Sequence, residues 1–244
     1  MNTLEGKTVL VTGASSGIGR GIAVCCSRAG ANVLIVGRNE SRLAETLEQM
    51  SGKNHRSFVC DLTDDASLKD FVAQLPQCDG IVHCAGIGQR IPAKMLTAPD
   101  IENVMNINFK APVLLQAALL QQKKVNKGAS IVFVASIASW SPSVGNSIYS
   151  ASKGAIISYA NCLALELSPR LIRVNCISPA MVWTELIKDK GITIEQLQED
   201  EKNYPLKRYG TPDDIGNLAV YLLSDDSSWM TGSNVKITGG GKLS

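Results

Sequence analysis

The chain has 244 residues, is 45% hydrophobic and 19% charged, and carries a net charge of +2 with no basic run. That length and balance fit one soluble α/β domain with a large core and exclude nucleic acid or an anionic membrane as the principal partner. No apolar stretch approaches a membrane span and the N-terminus does not read as a signal peptide; the seven scattered cysteines, with no Cys-x-x-Cys and only His55 and His83 beside them, point to free thiols in a reducing cytoplasm rather than to a metal site.

Residues 7–12, Lys-Thr-Val-Leu-Val-Thr, read as a buried parallel strand that runs into Gly13-Ala14-Ser15-Ser16-Gly17-Ile18-Gly19. A small-residue helix is expected over 20–29 and a second strand over 32–37. Strand, glycine turn, helix and strand in this order are the context of a dinucleotide-binding turn. Glycines let the backbone approach a pyrophosphate, and the helix N-terminus offers N–H donors and a positive dipole end. A carboxylate after the second strand would hold the adenosine ribose and repel a 2′-phosphate. Here Gly37-Arg38-Asn39 stands instead. An uncharged position followed by a guanidinium predicts NADP(H), with Arg38 as the main contact and Ser15, Ser16 and Asn39 assisting.

A helix is expected over 41–50 with Ser41 near its N-cap, and a third strand over 56–60. The next helix, over 66–75, takes its cap from Asp61, Thr63 or Asp64. The fourth strand, 79–84, leads to Ala85-Gly86. A long helical pattern from Asp100 to Gln122 contains Pro112, which has no N–H for the carbonyl of Asn108; a kink at Asn108 follows. The fifth strand, 129–135, stops at Ser136. In the small-residue helix beyond it, Tyr149 and Lys153 are four apart and share one face. An ammonium beside a phenol favours the phenolate, which makes a proton donor and acceptor for work near neutrality. A sixth strand over 173–178 follows. Then comes a charged segment, 185–204, with Leu186, Ile187, Ile192, Ile194 and Leu197 at helical spacing. A helix capped by Thr211 with Pro212 at its first position runs to Leu223, and a seventh strand covers 234–238.

The spacing Thr12-Gly13-x-x-x-Gly17-x-Gly19, the interval from Ser136 to Tyr149 and the pair Tyr149-x-x-x-Lys153 resemble the short-chain dehydrogenase/reductase family. The resemblance covers essentially the whole chain. In size and layout it is most similar to the family's bacterial 3-oxoacyl-acyl-carrier-protein reductases. It implies an α/β fold, a single Rossmann-type doubly wound domain over 1–244: a seven-stranded parallel sheet flanked by helices on both faces, with a substrate lid at about 181–209. It implies a catalytic tetrad of Asn108, Ser136, Tyr149 and Lys153. For the cofactor it implies Gly13, Ser15, Ser16, Gly17, Ile18 and Gly19 at the fingerprint, and Asp61 and Leu62 beside the adenine. Ala85 and Gly86 would lie at a ribose, Tyr149 and Lys153 at the nicotinamide ribose, and Pro179, Val182 and Thr184 at the carboxamide and pyrophosphate. It also implies a homotetramer built on the last strand and helices.

Several positions depart from the family pattern. His83-Cys84 replaces an Asn pair, and His83 is read as a packed residue. Ala111 replaces Gly in Asn-x-x-Gly, so that Pro112 makes the kink. Ala180 replaces Gly in Pro-Gly-x-x-x-Thr, which predicts φ below zero there. Ser16 stands where many NADP-dependent members carry a basic residue. The expected function is interconversion of a ketone and a secondary alcohol with NADP(H), the first substrate guess being a 3-oxoacyl thioester. A sugar or polyol dehydrogenase is the alternative. A catalytically idle NADP-binding sensor is the alternative of another class, against which the intact Tyr149 and Lys153 speak. Candidate pocket residues for substrate choice are Ile87, Gln89, Arg90, Ile137, Ala138, Trp140, Ser143, Asn146, Met181, Trp183 and Leu186, the Trp and Met among them reading equally as core or subunit-contact residues.

Overall fold

The computed structural model describes residues 3–188 and 193–241. Seven strands form one sheet: β1 (Thr8–Thr12), β2 (Asn32–Gly37), β3 (Arg56–Val59), β4 (Cys78–His83), β5 (Val125–Val134), β6 (Arg173–Pro179) and β7 (Asn234–Ile237). Every neighbouring pair is parallel, in the order β3-β2-β1-β4-β5-β6-β7. Side chains alternate across the sheet. Val9, Val11, Val33, Ile35 and Val132 enter one core, with Ile22, Leu43, Ile215 and Leu222 from helices. Leu10, Leu34, Ile81, Ile131 and Phe133 enter the other, with Phe71, Leu115, Ile156 and Leu163. Helices cover both faces, so the strands read as continuous apolar runs rather than alternating ones. β5 starts earlier than the expected 129 because Val125 already pairs with Cys78, across an irregularity before Gly80.

The helices are α1 (Gly17–Arg28), α2 (Glu40–Glu48), α3 (Asp65–Gln74), α4 (Ala98–Met105), α5 (Ala111–Gln121), α6 (Ser147–Leu167), α7 (Glu185–Lys188), α8 (Ile194–Glu201) and α9 (Pro212–Leu223). α1 begins inside the glycine turn, ahead of the expected Arg20. The cap of α2 is Asn39, not Ser41. Asn39 is extended at φ −109, and its side-chain oxygen accepts from the Arg42 N–H at 2.9 Å and from the Ser41 hydroxyl at 2.8 Å. Among the three rivals for the cap of α3, Asp64 takes it, accepting from the Ser67 N–H at 2.7 Å. Among the described residues no helix is long and apolar enough to cross a membrane.

The expected kink takes a specific form. Between α4 and α5, Asn106–Lys110 makes one π-helical turn, closed by the Ala111 N–H on the Asn106 carbonyl. Pro112 denies the Asn108 carbonyl its helical donor, and the wider turn absorbs the mismatch.

Beyond β6 the chain builds a third, smaller apolar cluster from Ile187, Leu197, Tyr204 and Tyr209, with Met181 and Trp183 packed against it. Val182 forms a parallel bridge with Gly210, which brings this segment back to the start of α9. There Thr211 and Asp214 cap each other: the Thr211 hydroxyl accepts from the Asp214 N–H, and the Asp214 carboxylate accepts from the Thr211 N–H at 2.7 Å. Arg208 adds two hydrogen bonds to the same carboxylate, at 2.7 and 3.0 Å. The Arg208 guanidinium holds the Asp214 carboxyl far below the usual range. This contribution to stability is complete above the unfolded carboxyl range and is lost as pH falls below it. Thr211→Ala removes the cap and is expected to cost about 1 kcal/mol, read as a fall of about 2–4 °C in Tm. An unchanged Tm would show that Arg208 and Asp214 hold this helix start without Thr211.

Candidate active site

Strand order reverses between β1 and β4, and in open parallel sheets the crevice at the carboxyl ends of such strands is where ligands bind. Here the two ends are stapled. The Thr12 hydroxyl accepts from the N–H groups of Cys84 at 3.0 Å and Ala85 at 3.1 Å. Gly13 sits at φ 66, and a Cβ on it would lie 2.7 Å from the Ala85 Cα. Both the left-handed backbone and the close approach require glycine.

A cleft of about 740 Å³ opens over this junction. Its floor is the turn Gly13, Ser15, Ser16, Gly17, Ile18 and Gly19. Arg38, Asn39, Asp61 and Leu62 line it beyond β2 and β3. Ala85, Gly86, Ile87, Tyr149 and Lys153 line it beyond β4 and at α6. Thr184 closes it from across, its methyl 3.2 Å from where a Gly17 Cβ would stand. Residues drawn from six separate stretches of sequence thus meet on one surface.

Asn108, Ser136, Pro179 and Val182 are not among the residues that line the cleft. Asn108 is buried, and its side chain is fully used: Oδ1 accepts from the Ile87 N–H at 2.8 Å, while Nδ2 donates to the Ile87 carbonyl at 2.9 Å and the Ser152 hydroxyl at 3.1 Å. Ser152 in turn donates to the Tyr149 carbonyl at 2.8 Å. The π-turn is thereby tied to the backbone of Tyr149. Ser136 Oγ accepts from the Ala138 N–H at 3.1 Å, which leaves its own hydroxyl hydrogen free to donate. Lys153 is buried, and its ammonium lies 5.9 Å from the centre of the Tyr149 ring. It donates to the Val134 carbonyl at 2.8 Å, which leaves two of its three N–H groups unassigned by that bond. Pro179 ends β6. The parallel bridge at Val182 engages the flanking Met181 carbonyl and Trp183 N–H, so the N–H and C=O of Val182 itself point the other way. Ala180 is not among the described non-glycine residues with positive φ, which are Lys123, Leu171 and Lys207.

Charge and burial sort the groups around the cleft. Hydrogen bonds from the Thr63 hydroxyl and N–H hold the Asp61 carboxyl below its usual range, and the Arg38 charge adds to this. Both Thr63 bonds go to Oδ1, leaving Oδ2 for another donor. Burial pushes the Cys60 thiol up to about 11 and the Cys84 thiol up to about 12. Both line the cleft and stay protonated, hence poor nucleophiles, at neutral pH. His83 is packed, as expected: its ring stacks on Phe133 at 4.5 Å, its Nε2 meets Gln116 Oε1 at 3.0 Å, and burial pushes its pKa down to about 4.

The residues expected to choose substrate are only partly gathered. Ile87 lines the cleft. Ile137 and Ala138 are buried and do not line it, while Arg90 and Ser143 are exposed. The loop after β4 and the loop before α6 are joined by the Ile91 N–H on the Gly145 carbonyl at 2.8 Å, next to Asn146. Gln89 donates to Asp100 at 2.9 Å. Trp140 carries the Lys236 ammonium over its ring at 4.5 Å. Trp183 takes the packed alternative. Its indole N–H donates to Glu201 at 2.9 Å and its ring lies 5.3 Å from that of Tyr209, so it and Met181 belong to the third apolar cluster. A buried indole needs an acceptor, and the carboxylate on α8 supplies one. The side chain of Leu186 lies outside the described residues, as does Ile192.

Some contributors were not foreseen. Arg42 and Ile107 line the cleft, and Ser152 links Asn108 to Tyr149. Ser152 was findable, because a helical Ser bonds to the carbonyl of the preceding turn and position 152 is one turn from Tyr149. Arg42 was not, since its place depends on α2 starting at Glu40.

A sequence profile for the family described as "Enoyl-(Acyl carrier protein) reductase" matches residues 13–242. A 3-oxoacyl-[acyl-carrier-protein] reductase of Rickettsia bellii is 34% identical over 240 residues, 98% of each chain. An L-xylulose reductase of Caenorhabditis elegans is 32% identical over 96% of this chain and 95% of its own. A solved structure titled "short chain dehydrogenase/reductase family protein" superposes with a TM-score of 0.86 at 32% identity, covering 99% of both chains.

Proposed function

The chain belongs to the short-chain dehydrogenase/reductase family, and from that we propose that it reduces ketones with NADPH, a 3-oxoacyl thioester being the substrate class it fits first. The observation that carries the reading is the meeting of Tyr149, Lys153 and Arg38 on one cleft floored by the glycine turn. The donor set fits a dinucleotide. The start of α1 offers backbone N–H groups to a pyrophosphate, Asp61 Oδ2 is an acceptor for an exocyclic amine, and Arg38 is a cation for a 2′-phosphate. The cofactor, when bound, supplies the hydride.

The protein's part is protonation and charge placement. The Tyr149 phenol gives its proton to the carbonyl oxygen as that oxygen gains electrons. The Ser136 hydroxyl donates to the same oxygen, where its bond strengthens as charge grows. Lys153 places a cation beside the phenol and turns its remaining N–H groups toward a ribose and the proton path. Asn108 acts by position. Its side chain is spent on Ile87 and Ser152, and its carbonyl, freed by Pro112, can accept from a water on the path from Lys153.

The test follows NADPH oxidation with a panel holding a 3-oxoacyl thioester, a ketopentose and a simple cyclic ketone. The thioester is expected to give the highest kcat/KM. Preference for the ketopentose by tenfold or more, about 1.4 kcal/mol, would move the assignment to sugar reduction. Binding of NADPH without turnover of any ketone would replace the enzyme by a nucleotide sensor.

A further inference from the structure

A phosphate monoester carries about −1.5 to −2 charges at neutral pH. Arg38 is the expected cation for such a group, but it also acts on the Asp61 carboxylate, so part of its field is already balanced. The position before Gly17, where a second cation would stand, is Ser16. Arg42, four residues on from Arg38, is the other arginine that lines the cleft. Among the described residues Arg42 forms no ion pair.

We propose that Arg42 is the second guanidinium of the adenosine 2′-phosphate site, supplying from α2 the charge that position 16 lacks. The proposal rests on the NADP(H) reading above and deepens it.

The backbone of Arg42 is held at both ends of its peptide unit. Its N–H donates to Asn39 Oδ1 at 2.9 Å, and its carbonyl accepts from the Arg20 guanidinium at 3.2 Å. The same Arg20 nitrogen donates to the Ser15 carbonyl at 2.6 Å and pairs with Glu45 at 2.8 Å, while Arg20 Nε donates to the Thr46 hydroxyl at 3.0 Å. Thr46 closes the arrangement by donating to the Ala14 carbonyl at 2.8 Å. The glycine turn and the first turns of α2 are therefore one unit before any ligand arrives. Ser15 also stands against the end of β2, its Cβ 3.4 Å from where a Gly37 Cβ would be. A side chain launched from a fixed backbone loses less on binding than one on a mobile loop. Asn39, expected to touch the phosphate, uses its amide oxygen to cap α2 and hold the Arg42 N–H, which leaves its amide nitrogen to donate.

The experiment is calorimetric titration of the full chain with 2′,5′-ADP and with 5′-AMP, for wild type, Arg38→Ala, Arg42→Ala and Arg42→Lys. Wild type is expected to prefer 2′,5′-ADP. Arg42→Ala is expected to weaken 2′,5′-ADP on the order of tenfold or more, the scale of a hydrogen bond to a charged group, and 5′-AMP less than about twofold. Arg42→Lys, keeping charge but losing the planar fork, is expected to fall between. If Arg42→Ala matches wild type on both ligands while Arg38→Ala loses 2′,5′-ADP selectively, the Arg42 proposal fails and the NADP(H) reading stands. Equal weakening of both ligands by Arg42→Ala also overturns it. If wild type shows no preference, the NADP(H) reading fails and Arg42 with it.

Discussion

Tyr149→Phe is expected to lower kcat about 10³-fold while changing NADPH affinity less than about threefold; a positioned general acid contributes 10²–10⁴. The substitution is clean because only the oxygen leaves. The ring that faces the Lys153 ammonium at 5.9 Å remains, and the Tyr149 backbone carbonyl still accepts from Ser152. The helix start is unaltered, so a folding defect cannot imitate the loss. The measurement is steady-state reduction of the best ketone beside fluorescence titration of NADPH. Turnover within a few-fold of wild type would remove Tyr149 from the chemistry and leave Ser136 as the group on the carbonyl oxygen.

The second large effect falls on a residue that does not line the cleft. Asn108→Leu keeps approximate volume and removes three hydrogen bonds, stranding the Ile87 N–H and the Ile87 carbonyl and leaving the Ser152 hydroxyl only its bond to the Tyr149 carbonyl. Leaving buried polar groups without partners costs about 1–3 kcal/mol each. These are part-buried and partly rescued by water, so about 2–4 kcal/mol is expected in all. At about 2–4 °C per kcal/mol, Tm falls by about 5–15 °C. Activity should fall further than unfolding explains, because Ile87 lines the cleft and Ser152 touches Tyr149. The decisive comparison is kcat well below the new Tm. Wild-type kcat there would mean that Asn108 braces the fold and nothing more.

Much of the scaffold was legible because both sheet faces are covered. Runs such as Val33-Leu34-Ile35-Val36 can only be buried parallel strands once helical segments alternate with them. The kink was legible from Pro112, since a missing N–H is a covalent fact. Its form was not, because nothing local decides between a broken helix and a wide turn. Asn39 and Ser41 are both good caps, and only the exit angle of β2 selects the first. Within the site, Tyr149 and Lys153 share a helical face in any reading. The partners of Asn108 belong to segments far away in sequence, so its three bonds could not be seen. Trp183 stayed open between pocket and core for a similar reason: its sequence neighbours do not show that Glu201, on α8, takes its N–H. Arg42 illustrates the opposite failure, a residue that looks like ordinary solvated helix surface until Arg20 and Asn39 fix where it starts.

A π-turn takes in one residue beyond the α-helical repeat while the helix on either side keeps its own register. The turn at Asn106–Lys110 is therefore a place where the chain could shorten cheaply. Loss of one residue there would leave Val104 and Leu115, both fully buried, facing the interiors they face now. What would go is the outward set of the backbone at Asn108. A one-residue deletion within 106–110 is expected to keep both interiors while pulling Asn108 off Ile87 and Ser152.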